Sequence, residues 1–156
     1  MPDDIQLRTA IEADYDTLGD VMFDAIHNRP SKYTEAQLLA WAPAPKRGPD
    51  WHARLGRQSV IVAERDGETL GFISIELGGY IDFVYIRPRA QGHGLFRRLF
   101  VAILNVAYSH GETVLSTDAS LMAQPAFAAM GFRVDYHERV VVDGQSLPRA
   151  RMTKTL

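Results

Sequence analysis

The sequence predicts an α/β fold of the α+β type: one domain over residues 1–156, with a mixed, mostly antiparallel central sheet flanked by helices. Three observations predict it. Stretches with apolar residues at three- and four-residue spacing alternate with short β-rich runs. Mid-chain, three β-rich runs follow one another across the two-residue turns Asp66-Gly67 and Gly78-Gly79, as in an antiparallel meander. The chain has 156 residues, 46% hydrophobic and 23% charged. That is ordinary globular composition, and a chain of this size buries roughly 68–70% of its unfolded surface, enough for one core.

The elements follow in order. Ile5 to Arg8 alternates apolar and polar residues, a short strand. From Glu12 to about Asn28, Tyr15, Leu18, Val21, Met22, Ala25 and Ile26 recur at helical spacing, and Arg29-Pro30-Ser31 ends the helix. Thr34 with Gln37 three residues on reads as a capping box opening a second helix that runs to about Trp41. Pro43, Pro45 and Pro49 exclude regular structure from Ala42 to Pro49, a surface loop. The meander strands are Ser59 to Glu64, Thr69 to Leu77 and Tyr80 to Ile86, the last stopped by Pro88. Helical spacing resumes after Gly94 through Leu95, Leu99, Ala102, Ile103 and Val106, with Gly111 as its C-terminal cap. Thr113 to Ser116 is a short buried-type strand and Leu121 to Met130 a helix ended by Gly131. Val134 to Val142, the turn Asp143-Gly144 and Arg149 to Lys154 close the chain as a hairpin. The order is β-α-α-β-β-β-α-β-α-β-β, without internal repeats.

Composition excludes several functions. The net charge of -2 gives no electrostatic support to a nucleic-acid or membrane-surface partner. With no cysteine, thiolate nucleophiles, disulfides and Cys-type zinc sites are out, and any group transfer must avoid a Cys-bound intermediate. The histidines His27, His52, His93, His110 and His137 have no metal-ligand spacing, so no metal is expected. Met1-Pro2-Asp3-Asp4 is acidic and lacks an apolar stretch, so no secretory leader is expected. No apolar run approaches the ~18 residues of a membrane helix. A cytoplasmic protein is the expectation.

The segment that carries chemistry is Ile86-Arg87-Pro88-Arg89-Ala90-Gln91-Gly92-His93-Gly94. A strand ends, a tight glycine-containing loop follows, and an amphipathic helix opens. Backbone N–H groups left free there, with the positive helix end, suit a phosphate or diphosphate, and glycine lets its oxygens come close. Arg87, Arg89, Arg97 and Arg98 add positive charge. A dinucleotide fingerprint would need a third glycine where Arg97 stands, and a P-loop its Gly-Lys-Ser/Thr; both are missing. Alone, the glycine pair is equally compatible with a plain strand-to-helix turn.

Arg89-x-x-Gly92-x-Gly94 after Ile86-x-Pro88 resembles the acyl-CoA-binding motif of the GNAT superfamily of N-acyltransferases. Ser120-x-x-Ala123-x-x-x-Phe127-x-x-x-Gly131-Phe132 is similar to that superfamily's later motif. Arg8-Thr9-Ala10, Ala63-Glu64-Arg65-Asp66-Gly67 and Gly71-Phe72-Ile73 also stand where the superfamily has them, so the resemblance spans nearly the whole chain. Tyr33-Thr34-x-x-Gln37-x-x-x-Trp41-Ala42-Pro43, Tyr80-Ile81-Asp82 and Met152-x-Lys154-x-Leu156 look like one bacterial branch of acetyltransferases.

The resemblance implies a GNAT-like domain that takes acetyl-CoA as acyl donor. The last meander strand would splay from its neighbour, so that Val84, Tyr85 and Ile86 pair with the pantetheine arm near the thioester. Arg89 and the loop Gln91, Gly92, His93, Gly94, Leu95 and Phe96 would hold the diphosphate, with Phe127 beside the donor. Two residues depart from the pattern: Phe96, where the superfamily has Gly or Ala, and Phe127, where it often supplies a proton-donating Tyr. Transfer to an amine needs a base, a proton donor for the thiolate and an N–H facing the oxyanion. Asp82 is the candidate base, since its strand parity matches Val84 and Ile86 and its apolar neighbours should raise its pKa. Ser120 is the candidate donor, its structural alternative being a helix cap. Glu76 is a rival carboxylate. His27, Tyr33 and Trp41, with Trp51, are candidates for the acceptor pocket, although each also reads as packing.

The reaction expected is N-acetylation of a primary amine, either a small molecule or a protein amine, without a covalent enzyme intermediate. The alternative is a non-catalytic CoA-binding or regulatory domain on the same fold, which Phe96 and Phe127 favour. A partner-binding domain using neither is the third reading. The closing strands also offer edges on which a homodimer could form.

Overall fold

The computed structural model describes residues 4–156; Met1, Pro2 and Asp3 of the acidic N-terminal reading lie outside the described residues. The strands are β1 (Gln6–Thr9), β2 (Ser59–Arg65), β3 (Glu68–Ile75), β4 (Tyr80–Ile86), β5 (Val114–Ser120), β6 (Arg133–Val142) and β7 (Gln145–Thr155). The helices are α1 (Tyr15–His27), α2 (Glu35–Trp41), α3 (Pro49–Gly56), α4 (Leu95–Ser109) and α5 (Gln124–Ala129). The strands form one sheet in the order β1-β2-β3-β4-β5-β7-β6, antiparallel except between β4 and β5. This is the mixed, mostly antiparallel sheet that the sequence predicts. Among the described residues no helix is long and apolar enough to cross a membrane.

Alternation along the strands separates two cores. Val60, Val62, Phe72 and Phe83 pack with Leu18, Val21 and Met22 of α1 and Trp51 and Leu55 of α3. On the opposite face Ala63, Ile73 and Ile86 pack with Leu95, Leu99 and Ile103 of α4 and Phe127 of α5. The capping box at α2 is formed as read: Thr34 Oγ1 accepts from the Gln37 amide at 3.1 Å, and Gln37 Oε1 accepts from the Thr34 amide at 2.8 Å.

Four elements differ from the sequence reading, and one of them, β5, runs on past Ser116 to Ser120 against β7. α3 occupies a stretch left without structure, because Pro49 sits in its first turn, where a missing N–H costs nothing. Trp51 and Leu55, one helical turn apart, bury its inner face, and Trp51 Nε1 donates to the Tyr15 carbonyl at 2.7 Å. α5 starts at Gln124 rather than Leu121, after a turn in which the Ala123 amide donates to the Ser120 carbonyl at 3.0 Å. β7 begins four residues before Arg149 and contains Pro148, which pairs with Arg139 beyond the end of β5. There β7 pairs with β6 alone among the strands of the described residues, so a residue without an N–H is tolerated on its other side.

The feature that makes a site lies mid-sheet. β4 and β5 pair only at Tyr80↔Ser116 and Ile81↔Thr117, then part. At the joined end Gly79 comes so close to β5 that a Cβ there would stand 2.3 Å from the Val114 carbonyl oxygen, which reserves the position for glycine. Beyond Ile81, β4 pairs with β3 alone. A bulge sits at the same place: Ser74 faces Phe83 and Ile75 faces Ile81, so Asp82 is an extra residue. Ser74, wholly buried, accepts the Phe83 amide on its Oγ at 3.1 Å.

The bulge generates a stability prediction. Ser74→Ala leaves the buried Phe83 N–H without a partner and should cost about 1–3 kcal/mol. In urea titrations the midpoint should fall with an unchanged slope. An unchanged midpoint would mean that the hydroxyl does not support the bulge.

Candidate active site

Two cavities meet where β4 leaves β5. One, about 350 Å³, lies between β4, the loop before α4 and the end of α1. The other, about 290 Å³, lies between β4, β5, the β6–β7 hairpin and the end of α3. Trp41, Val84, Tyr85 and Ala123 line both, so the cavities open onto the same stretch of β4 edge from opposite sides.

The first cavity gathers most of the residues read as donor-binding. Val84, Tyr85 and Ile86 supply its strand wall, and Gln91, Gly92, Gly94, Leu95 and Phe96 its loop wall. Gly92 and Gly94 have φ of 81° and 79°, and a Cβ on either would meet nothing within 4 Å, so their backbone faces open space. The amides from Gly92 to Phe96 donate to no group among the described residues. Gln91 behaves differently: its amide donates to the Pro88 carbonyl at 3.2 Å and its side chain to the Ile86 carbonyl at 2.8 Å. Arg89 turns away to Glu68, and Arg89 and His93 are both outside the cavity wall. Phe96 turns inward and stands edge-to-face on Phe127 at 5.3 Å, which places Phe127, 1% exposed, in the wall of the second cavity.

The second cavity holds Asp82, but not by the parity that the sequence suggests. The bulge turns Asp82 toward α3, where Arg54 Nε and Nη2 donate to its two oxygens at 2.8 and 2.7 Å and Gln58 adds a third bond at 2.7 Å. Its side chain is 4% exposed. Asp118 is held likewise by Arg151 at 2.8 and 3.1 Å and by the Tyr80 hydroxyl at 2.8 Å. Burial pushes the Asp118 pKa up, and the bonds from Arg151 and Tyr80 outweigh it, leaving the group below its ordinary value. Burial, then the Asp82 charge, pushes the Tyr85 hydroxyl up, so it stays protonated. That hydroxyl has no hydrogen bond among the described residues.

Ser120 ends β5 in the same cavity, its Oγ accepting from the Ala123 amide at a long 3.3 Å. Its own proton has no acceptor among the described residues. Tyr33 lines the cavity and straps it: its hydroxyl donates to the Pro148 carbonyl at 2.6 Å and accepts from the Leu121 amide at 2.9 Å. Three of the acceptor-side candidates stand outside both walls, as do Arg89 and His93. His27 is pinned through Nε2 on the Ala42 carbonyl at 2.6 Å, Trp51 is core, and Glu76 is exposed on the β3–β4 turn. Arg54, Gln58, Tyr80, Asp118 and Arg29 were not among the sequence candidates. Trp51 and Leu55 at helical spacing were the signal that could have found Arg54, as they define the helix that carries it. No cluster of three or more His, Asp or Glu able to hold a metal ion occurs among the described residues.

A family model described as an acetyltransferase (GNAT) domain matches residues 31–156. The chain is 28% identical over 141 residues to the uncharacterized N-acetyltransferase YafP of Escherichia coli (strain K12), covering 90% of this chain and 89% of that protein. It resembles the crystal structure of a GCN5-related N-acetyltransferase from Rhodopseudomonas palustris, at 29% identity and a TM-score of 0.90, covering 97% of this chain and 95% of that one. It also resembles yncA of Salmonella typhimurium, solved with its cofactor acetyl-CoA, at 20% identity and a TM-score of 0.67 over 97% and 94% of the two chains; at that identity the likeness concerns the fold.

The lowered Asp118 pKa fixes a pH dependence. A carboxyl that holds its proton less tightly when folded contributes stability that is fully present above its unfolded value, near 3.8, and lost as pH falls through the folded value. Asp118→Asn removes this titration. Between about pH 5 and pH 3 the variant should lose less stability than the parent in urea melts. Equal losses would mean that Asp118 is not held in its charged form.

Proposed function

The chain belongs to the GNAT acetyltransferase family, and on that premise we propose that it transfers an acetyl group from acetyl-CoA directly to the primary amine of a small molecule. The observation that carries this reading is the parting of β4 from β5, with a cavity on either side of one open strand edge. Donor and acceptor can reach the same backbone from opposite directions, and the acceptor-side volume of about 290 Å³ suits a small amine.

The donor-side residues fit acetyl-CoA. The β4 edge offers backbone groups to an extended amide-bearing chain, as an added strand would use them. The amides of Gly92 to Phe96 at the start of α4 suit a diphosphate, and the open space against Gly92 and Gly94 admits its oxygens. Acetyl-CoA, when bound, supplies an activated thioester; everything else falls to the chain.

On the acceptor side Asp82 receives the amine. A carboxylate offers about four acceptor positions, and Arg54 and Gln58 occupy three, leaving one for an N–H. The Arg54 pair fixes that position, so Asp82 orients the amine and takes its proton as the new bond forms. Ser120, whose hydroxyl proton is uncommitted, donates a hydrogen bond to the departing sulfur, which leaves as a thiolate and takes its proton from solvent. A thiolate is a fair leaving group near neutral pH, which is why Phe127 in place of a Tyr is tolerable.

A second reading, a CoA-binding domain without turnover, is favoured by the same Phe127 and by the bonds on Asp82. Thiol release from acetyl-CoA with a panel of primary amines separates the two. Acetyl-CoA should raise the melting temperature of the parent, and Gly94→Val should abolish that shift while leaving a folded protein, since φ of 79° strains a β-branched residue. No shift at millimolar acetyl-CoA would overturn the donor assignment. Asp82→Asn should lower turnover about 10²–10⁴-fold with acetyl-CoA affinity unchanged. Ser120→Ala should also lower turnover more than donor binding; a lower melting temperature with full turnover would make Ser120 a turn cap.

A further inference from the structure

The loop before α4 has basic neighbours in sequence, yet the folded chain directs them elsewhere. Arg87 is held by Asp24 at 3.0 Å and the Thr69 carbonyl at 2.8 Å, Arg89 pairs with Glu68, and Arg98 donates to the Ile5 carbonyl at 2.9 Å. None of these, nor Arg97, lines the cavity beside Gly92 and Gly94. Among the described residues the one charged side chain lining it is Arg29, from the segment just after α1.

Arg29 makes no hydrogen bond or ion pair among the described residues, and its Nε is shielded from solvent without a partner. A shielded donor left unpaired costs about 1–3 kcal/mol, more when charged, so such an atom calls for a partner from outside the chain. A guanidinium only donates. The loop amides lining the same cavity also only donate, and no acidic side chain lines it. A guanidinium from the segment after α1 and the amides at the start of α4 therefore line one space, and what satisfies both is a group rich in acceptor oxygens and negative charge.

Resting on the acyl-donor reading above, we infer that Arg29 is the basic residue that grips the diphosphate of acetyl-CoA, closing on it from the α1 side against the α4 amides. A guanidinium binds phosphate oxygens in a planar fork, which fixes position as well as charge. The arginines nearest the glycine loop in sequence serve the fold, and one from a remote segment serves the ligand.

The test is calorimetric binding of CoA, dephospho-CoA and pantetheine to the parent and to Arg29→Gln. The variant should bind CoA and dephospho-CoA about 10–100-fold more weakly and pantetheine as the parent does, because a hydrogen bond to a charged group is worth about 1.5–3 kcal/mol. Ligand-free melting should not fall, since no internal partner is lost. Unchanged CoA affinity, or an equal loss for pantetheine, overturns the inference. A loss for CoA but not for dephospho-CoA overturns it too, assigning Arg29 to the 3′-phosphate. A higher KM for the acceptor with donor binding intact would place Arg29 on the acceptor. A parent that binds pantetheine but neither nucleotide overturns the Arg29 assignment alone, whereas a parent that binds none of the three overturns the donor reading with it.

Discussion

The separation of β4 from β5 beyond Ile81 and Thr117 is the constraint on which the rest of the structure depends. Opening a sheet in its middle strands backbone groups that elsewhere would pair, and each one left buried is costly. The chain answers group by group. Thr117 Oγ1 donates to the Ile81 carbonyl at 3.0 Å, at the last paired position. Gln91 Nε2 donates to the Ile86 carbonyl at the far end. Ser74 takes the Phe83 amide that the bulge removes from the ladder. Both ends of the opening are thus satisfied by side chains, and the stretch between them is left for a ligand. β5 is kept in place from the other side by β7, paired along all of β5 from Val114 to Ser120.

Charge follows the same logic. Asp82 with Arg54, Asp118 with Arg151, and Asp24 with Arg87 put a carboxylate against a guanidinium around the opening. Part-buried pairs of this kind hold geometry more than they add stability, because desolvation offsets much of the attraction. The two acidic groups of the second cavity, Asp82 and Asp118, thus reach its space already paired with guanidinium groups. Each carboxylate then offers a single remaining acceptor position, and the second cavity carries no general negative field. The donor side is the opposite case, with donors in excess and no acid.

Much of the fold was legible because it rests on local signals. Asp66 and Gly67, with φ of 52° and 78°, form the tight turn that their identities announce. Thr34 and Gln37 close their capping box, and β4 runs from Tyr80 to Ile86 as read. What was not legible depends on contacts distant in sequence. α3 was hidden by the prolines before it, although Pro49 is an acceptable first-turn residue. With α3 unseen, Arg54 could not be placed on Asp82, 28 positions away. The parity argument for Asp82 failed at a bulge, and one extra residue reverses every parity beyond it. Arg29 carried no signal at all, since its meaning lies in what the loop arginines do instead.

Phe96 and Phe127, which the sequence presents as two separate departures from the family pattern, are one contact in the structure. Phe96 meets Phe127 edge-to-face at 5.3 Å, Phe127 meets Phe132 at 5.0 Å, and Phe132 meets Phe100 at 5.8 Å. The larger ring on α4 fills space that a small residue would leave, and it presses on a position where a phenol would carry a hydroxyl. Neither Phe96 nor Phe127 therefore brings a side-chain proton to the junction of the two cavities. The polar side chains Asp82 and Tyr85 of β4 and Ser120 at the end of β5 line the second cavity.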